Sequence, residues 1–177
     1  MWSKTKSLRW GWSDFRRGPR KPDAAEPLTR EALDSRRETL CDRHPETLIS
    51  IKNLGALLHA KGDLVAAELL YREALEGRRE TLGSRHPDTR TSITSLGALL
   101  QAKGDLAAAE PLCREALEVR REILGDRHPS TLISIGSLGL LLVKQGKYKE
   151  AEPLCREALE VQRETLGDRP VSYTHLR

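Results

Sequence analysis

Aromatic residues are scarce, at 4% of 177 positions, and most of the few lie near the ends: Trp2, Trp10, Trp12 and Phe15 early, Tyr173 late. Over the middle of the chain the interior has to be leucine, isoleucine and alanine, with Tyr71 and Tyr148 as its aromatics. That composition favours closely packed helices over a sheet. No stretch approaches the ~20 consecutive apolar residues of a membrane span. The first residues carry scattered charges and no continuous apolar core, so they do not read as a secretory signal, and a cytoplasmic location is expected. Cysteine is limited to three residues. An odd count without a Cys-x-x-Cys pair excludes a disulfide framework and reads as free thiols in a reducing compartment.

Catalytic chemistry is thin as well. There is no glycine-rich phosphate loop and no Ser-His-Asp set outside repeated positions. His44, His86 and His128 each precede a proline and stand 42 residues apart. Each therefore serves the same turn in a different unit, and the three cannot converge on one metal. No metal, no cofactor and no enzymatic activity is expected.

Charge is unevenly divided. Residues 1–22 hold Lys4, Lys6, Arg9, Arg16, Arg17, Arg20 and Lys21 against Asp14, a net +6 within a whole-chain +4, which leaves −2 for residues 23–177. Specific nucleic-acid recognition is not expected of so mildly acidic a body. Residues 1–23 mix basic residues with Trp, Ser, Gly and Pro and read as a disordered leader. A transit peptide and an anionic-surface tether are the other readings of that composition.

What the chain does have is a repeat. Arg-Glu-Ala-Leu occurs at 30–33, 72–75, 114–117 and 156–159, at a constant period of 42 residues. A period of this length signals stacked supersecondary units that bury their core between neighbours. In the first complete unit Leu48, Ile51, Leu54, Gly55 and Leu58 recur at three- and four-residue steps, which predicts a helix over about 46–60. Pro45 and Glu46 suit its first turn and Gly62 its end. Asp63 can cap a second helix over about 64–82, burying Leu64, Ala67, Leu70, Tyr71, Ala74, Leu75 and Leu82. The short connection makes the two antiparallel. The same reading gives helices near 88–102, 106–124, 130–145 and 148–166, after an orphan second helix at 24–40.

Finer expectations follow from register. Pro27, Pro111 and Pro153 sit inside second helices, so those helices should begin late or bend there. Cys113 and Cys155 share the position of Tyr71 and should be buried thiols, whereas Cys41 replaces the helix-ending Gly83, Gly125 and Gly167. Arg72, Glu76 and Arg79 should pair with one another along one solvated helix face. After Arg169 the repeat breaks mid-motif, so residues 170–177 read as an irregular, non-native tail and the chain as a piece of a longer array.

A helix pair with Gly55, Leu58, Gly62 in the turn, Ala67, Tyr71 and Ala74 resembles the tetratricopeptide repeat. The 42-residue length, Ala-Glu-Pro-Leu, Arg-Glu-Ala-Leu-Glu and Leu-Gly-x-Arg-His-Pro narrow the resemblance to the kinesin light chain and nephrocystin type, over residues 24–169. It implies an all-α solenoid whose first helices line a concave groove that holds a partner peptide. By repeat position that groove should show Ile49, Lys52, Asn53, Ala56 and His59, then Arg90, Thr91, Thr94, Ser95, Ala98 and Gln101, then Ile133, Gly136, Ser137, Leu140 and Val143.

The chain departs from its relatives at points that matter for function. The Asn-Asn-Leu-Ala stretch of kinesin light chains is matched here by residues 52–55, 94–97 and 136–139, with Asn53 the one carboxamide kept. Residues 1–23 contain no heptads of the kind that bind kinesin heavy chain. A two-carboxylate clamp would have Lys52 but Ala56, Ser95, Ile133 and Ser137 at its other places. The leading expectation is a protein-interaction module, scaffold or adaptor, that takes a segment with one acidic and one apolar end. The alternatives are a kinesin-type cargo adaptor and a tether acting through the basic leader. Gly97→Leu should wedge one helix pair apart and lower the thermal transition; an unchanged transition would refute this placement of Gly97.

Overall fold

The structure is a computed structural model that describes residues 22–166. The expected leader falls largely, and the expected tail wholly, outside the described residues. Seven helices follow one another: α1 (Pro22–Leu40), α2 (Pro45–Lys61), α3 (Leu64–Leu82), α4 (Pro87–Lys103), α5 (Leu106–Leu124), α6 (Pro129–Lys144) and α7 (Tyr148–Leu166). No strand occurs among the described residues. α2 with α3, α4 with α5 and α6 with α7 form antiparallel pairs, and each second helix also packs on the first helix of the next pair. The fold is an all-α repeat solenoid.

Helix ends repeat as faithfully as helix faces. The Nδ1 atoms of His44, His86 and His128 accept from the backbone N–H groups of Glu46, Asp88 and Ser130 at 3.2, 3.2 and 3.1 Å. Each histidine thus caps a first helix whose next residue is proline, where no backbone donor is needed. Asp63 and Asp105 cap α3 and α5 through Ala66 and Ala108. Gly62 and Gly104 close α2 and α4 in the left-handed conformation, at φ 87° and 83°.

The core is a single chain of contacts rather than a central mass. Leu48, Ile51, Leu54 and Leu58 of α2 are buried together with Ala67, Tyr71, Ala74 and Leu75 of α3, and the pattern recurs downstream. Paired helices meet at a glycine. A Cβ added to Gly55 would stand 2.8 Å from the Tyr71 ring. At Gly139 the nearest atom would be Cys155 Sγ at 3.1 Å, and at Gly97 it would be Cys113 Sγ and Leu112 Cβ at 3.7 Å. The side chain opposite the glycine sets how tightly each pair closes.

Polar contacts set the register between repeats. Arg37, Arg79 and Arg121 reach Glu73, Glu115 and Glu157 of the next second helix, the first and last of these at 2.5 and 2.6 Å. Arg43, Arg85 and Arg127, from the loops before the first helices, meet Glu80, Glu122 and Glu164 at 2.7 to 2.8 Å. Glu26, Glu68 and Glu110 each bind an arginine on their own helix and the lysine that ends the following first helix or its turn. The expected pairing of Arg72, Glu76 and Arg79 with one another is therefore corrected. Arg72 pairs with Glu68, and Arg79 leaves its helix for Glu115.

Three further expectations change. Of the two outcomes expected at the prolines, a late start does not occur: Pro27, Pro111 and Pro153 are each the sixth residue of α1, α5 and α7. Pro111 and Ala107, whose carbonyl loses its partner, are both exposed, as are Pro153 and Lys149, so water can take the freed acceptors. Tyr148 is 67% exposed at the start of α7 and no part of the core. Cys113 is half-buried, with burial pushing its thiol pKa up, but Cys155 is exposed.

Two measurements follow. Gly97→Ala should stabilise by roughly 0.5–1 kcal/mol through helix propensity, whereas Gly55→Ala should cost about 1–3 kcal/mol because the tyrosine ring must move; paired thermal melts decide. The carboxylate of Glu110, hydrogen-bonded by Lys147 and Arg114, has its pKa lowered from 4.5 to about 2. The unfolded chain binds this proton more readily, so its contribution is complete above pH ~4.5 and is lost as pH falls toward ~2. Urea unfolding of Glu110→Gln across that window should show lower stability at neutral pH and a flatter acid limb than the parent.

Candidate functional site: the face of the first helices

The exposed stripes of α2, α4 and α6 fall at matching register and form one face. Ile49, Asn53 and Ala56 are exposed on α2; Thr91, Thr94 and Ala98 on α4; Ile133, Gly136, Ser137, Leu140 and Val143 on α6. Lys52, His59, Arg90, Ser95 and Gln101 are half-buried at its margins. The hydroxyls of Thr91, Thr94, Ser95 and Ser137 donate to carbonyls one turn back on their own helices, which occupies their protons locally. Gln101 turns toward α5, its Nε2 lying 3.4 Å from Cys113 Sγ, and so faces the pair interface more than the open face.

The two ends of this face differ in kind. Toward α6 it is apolar: Ile133 is 68% exposed, Leu140 55% and Val143 40%. A Cβ at Gly136 would meet no heavy atom within 4 Å, so the surface there is open. Toward α2 and α4 it is cationic. Lys52 is half-buried and its pKa is lowered, first by burial and then by the neighbouring Arg78, with Asp88 opposing. Lowered in the same sense is Arg78, by its own burial.

Arg78 and Arg120 come from the second helices and were missed in the sequence. Arg78 is buried; its Nη1 donates to Asp88 O at 3.1 Å and Ser92 Oγ at 2.6 Å. Arg120 donates to Ser134 Oγ and, at 3.2 Å, to Thr94 Oγ1. The pKa of Arg120 is lowered, first by burial and then by the neighbouring Arg90. A signal was present: Arg36, Arg78 and Arg120 recur with Ser50, Ser92 and Ser134 always 14 residues later. Read as a contact between adjacent units, that spacing would have put arginine under the face.

The chemistry available here is recognition by charge and apolar contact. Among the described residues no group of three His, Cys, Asp or Glu side chains is disposed to hold a metal. No described helix is long and apolar enough to cross a membrane.

Comparison with known proteins agrees with the architecture. The tetratricopeptide repeat family matches residues 47–88 and 88–164. No curated protein matches the chain in sequence. Among solved structures, the chain is similar to a putative kinesin light chain of Podosopora anserina with nearly identical tetratricopeptide-like repeats. Identity is 26% and the TM-score 0.72, over 81% of this chain and 68% of that one. The fold is also that of BtubC (BKLC) from P. vanneervenii, at 22% identity and a TM-score of 0.73, over 84% of this chain and 59% of that one. With its helix pairs, its period and these matches together, the chain belongs to the tetratricopeptide repeat family, its repeats being of the kinesin light chain type.

Proposed function

We propose that this chain is a non-catalytic interaction module, a scaffold or adaptor acting in the cytoplasm, and that its first-helix face binds a protein segment with an acidic end and an apolar end. The observation that carries this is the division of charge between the two sides of the repeats. The arginines that tie second helices together are matched with carboxylates. Among the described residues Lys52, Arg90 and Arg120 at the first-helix face have no carboxylate within ion-pair distance, and Ile133, Leu140 and Val143 remain exposed a repeat away. An acidic segment would replace the water that these cations partly lack, and apolar anchors would cover the leucine and valine.

A second reading follows from the solved relative described as a putative kinesin light chain. On that reading the bound segment is cargo, and a motor subunit is engaged through a part of the protein other than the repeats described here.

The test is fluorescence anisotropy with a labelled 20-residue peptide carrying Asp and Glu in one half and Leu and Trp in the other. Lys52→Glu and Leu140→Asp should each weaken binding at least tenfold, about 1.4 kcal/mol or more. A control peptide with its acids replaced by lysine should not bind. If removing residues 1–21 abolishes binding while the repeats stay folded, the site is not this face.

A further inference from the structure

We propose that Arg90 and Arg120 form a subsite for a phosphorylated side chain, phosphoserine or phosphothreonine, within the segment bound on the first-helix face. The inference rests on the peptide-binding reading of that face and adds what one part of it selects.

Arg90 breaks the repeat. Its register partners in the neighbouring units are Leu48 and Leu132, so arginine here is not required by packing. Its Nε is buried and has no hydrogen-bond partner. Two other arginine Nε atoms are equally enclosed, at Arg37 and Arg121, but each lies 3.2 Å from a carboxylate, of Asp42 and Asp126 respectively. Among the described residues Arg90 has no such neighbour; what stands beside it is a second cation, Arg120, whose Nη2 donates to Thr94 Oγ1, the hydroxyl that itself donates to Arg90 O at 3.0 Å.

Arg120 is held in place without being neutralised. Its partners, Ser134 on α6 and Thr94 on α4, are both hydroxyls, so they fix the guanidinium and leave its charge standing. Holding two half-buried guanidinium groups side by side without an anion is unfavourable, and one ligand group can relieve both. A carboxylate brings one charge and two oxygens. A phosphate monoester brings nearly two charges and three acceptor oxygens, which matches two planar donor forks side by side.

The experiment observes the arginine side chains directly. The full chain, labelled with 15N, is titrated with N-acetyl-phosphoserine amide and separately with N-acetyl-aspartate amide while the Nε–H resonances of Arg90 and Arg120 are followed. The expected result is saturable movement of both resonances, with half-saturation at least tenfold lower for the phosphoserine compound. Arg90→Leu installs the residue both neighbouring units carry and should keep the thermal transition while removing the Arg120 response. Arg90→Gln, which keeps a polar stem, should remove it as well. Equal half-saturation for the two compounds would overturn the phosphate preference, and if the acidic and apolar peptide still binds, the peptide site survives that result. No movement with either compound would overturn the subsite itself.

Discussion

Paired helices approach too closely for an unstrained methyl group at Gly55 and Gly139, and closely enough to touch one at Gly97, and the leucines around those points are buried by that approach. Because each helix touches only its neighbours in chain order, there is no central mass to compensate for a pair that opens. The largest fully enclosed side chains, among them Ile51, Leu54, Ile93, Leu96, Ile135 and Leu141, all lie on first helices sandwiched between two second helices. The first helix is thus the filling of the array. One stripe of it remains in water, and that stripe becomes the candidate site.

The second helices do a different job. Their arginines and glutamates carry the contacts from one unit to the next, at the same offset each time, because the same residues recur at the same period. Exposed ion pairs are individually worth little, yet a repeated set fixes one stacking register against its neighbours. Arg78 and Arg120 add hydrogen bonds under the first-helix face, where burial makes an unmet donor costly.

Much of the fold was legible in the sequence because periodicity reports burial directly. The stripe of Leu48, Ile51, Leu54, Gly55 and Leu58 named a helix and its inner face, and Gly62 and Asp63 named a turn. What sequence reasoning missed depends on contacts between units. His44 was read as serving a turn, but its role as acceptor for Glu46 needs the backbone to be in place. Arg79 lies seven residues from Arg72 and 36 from Glu115, and only the stacking decides which neighbour it meets. The prolines do not delay their helices because a lost hydrogen bond is costly in a core and cheap where the freed carbonyl is wet. At the candidate site the first-helix residues could be named by register, whereas the arginines beneath them, on helices assigned to packing, could not.

The ion pairs that join successive units run between second helices, and to second helices from loops, turns and the lysines that end α2 and α4; among the described residues none joins one first helix to the next. Mechanically the array resembles a book bound along one edge. The second helices are the spine and the first helices the pages, with Arg120 stitched between α4 and α6 through Thr94 and Ser134. That arrangement puts the salt-sensitive contacts along one edge. It also means that salt, by loosening the spine, should soften the whole array in bending before it unfolds any single pair.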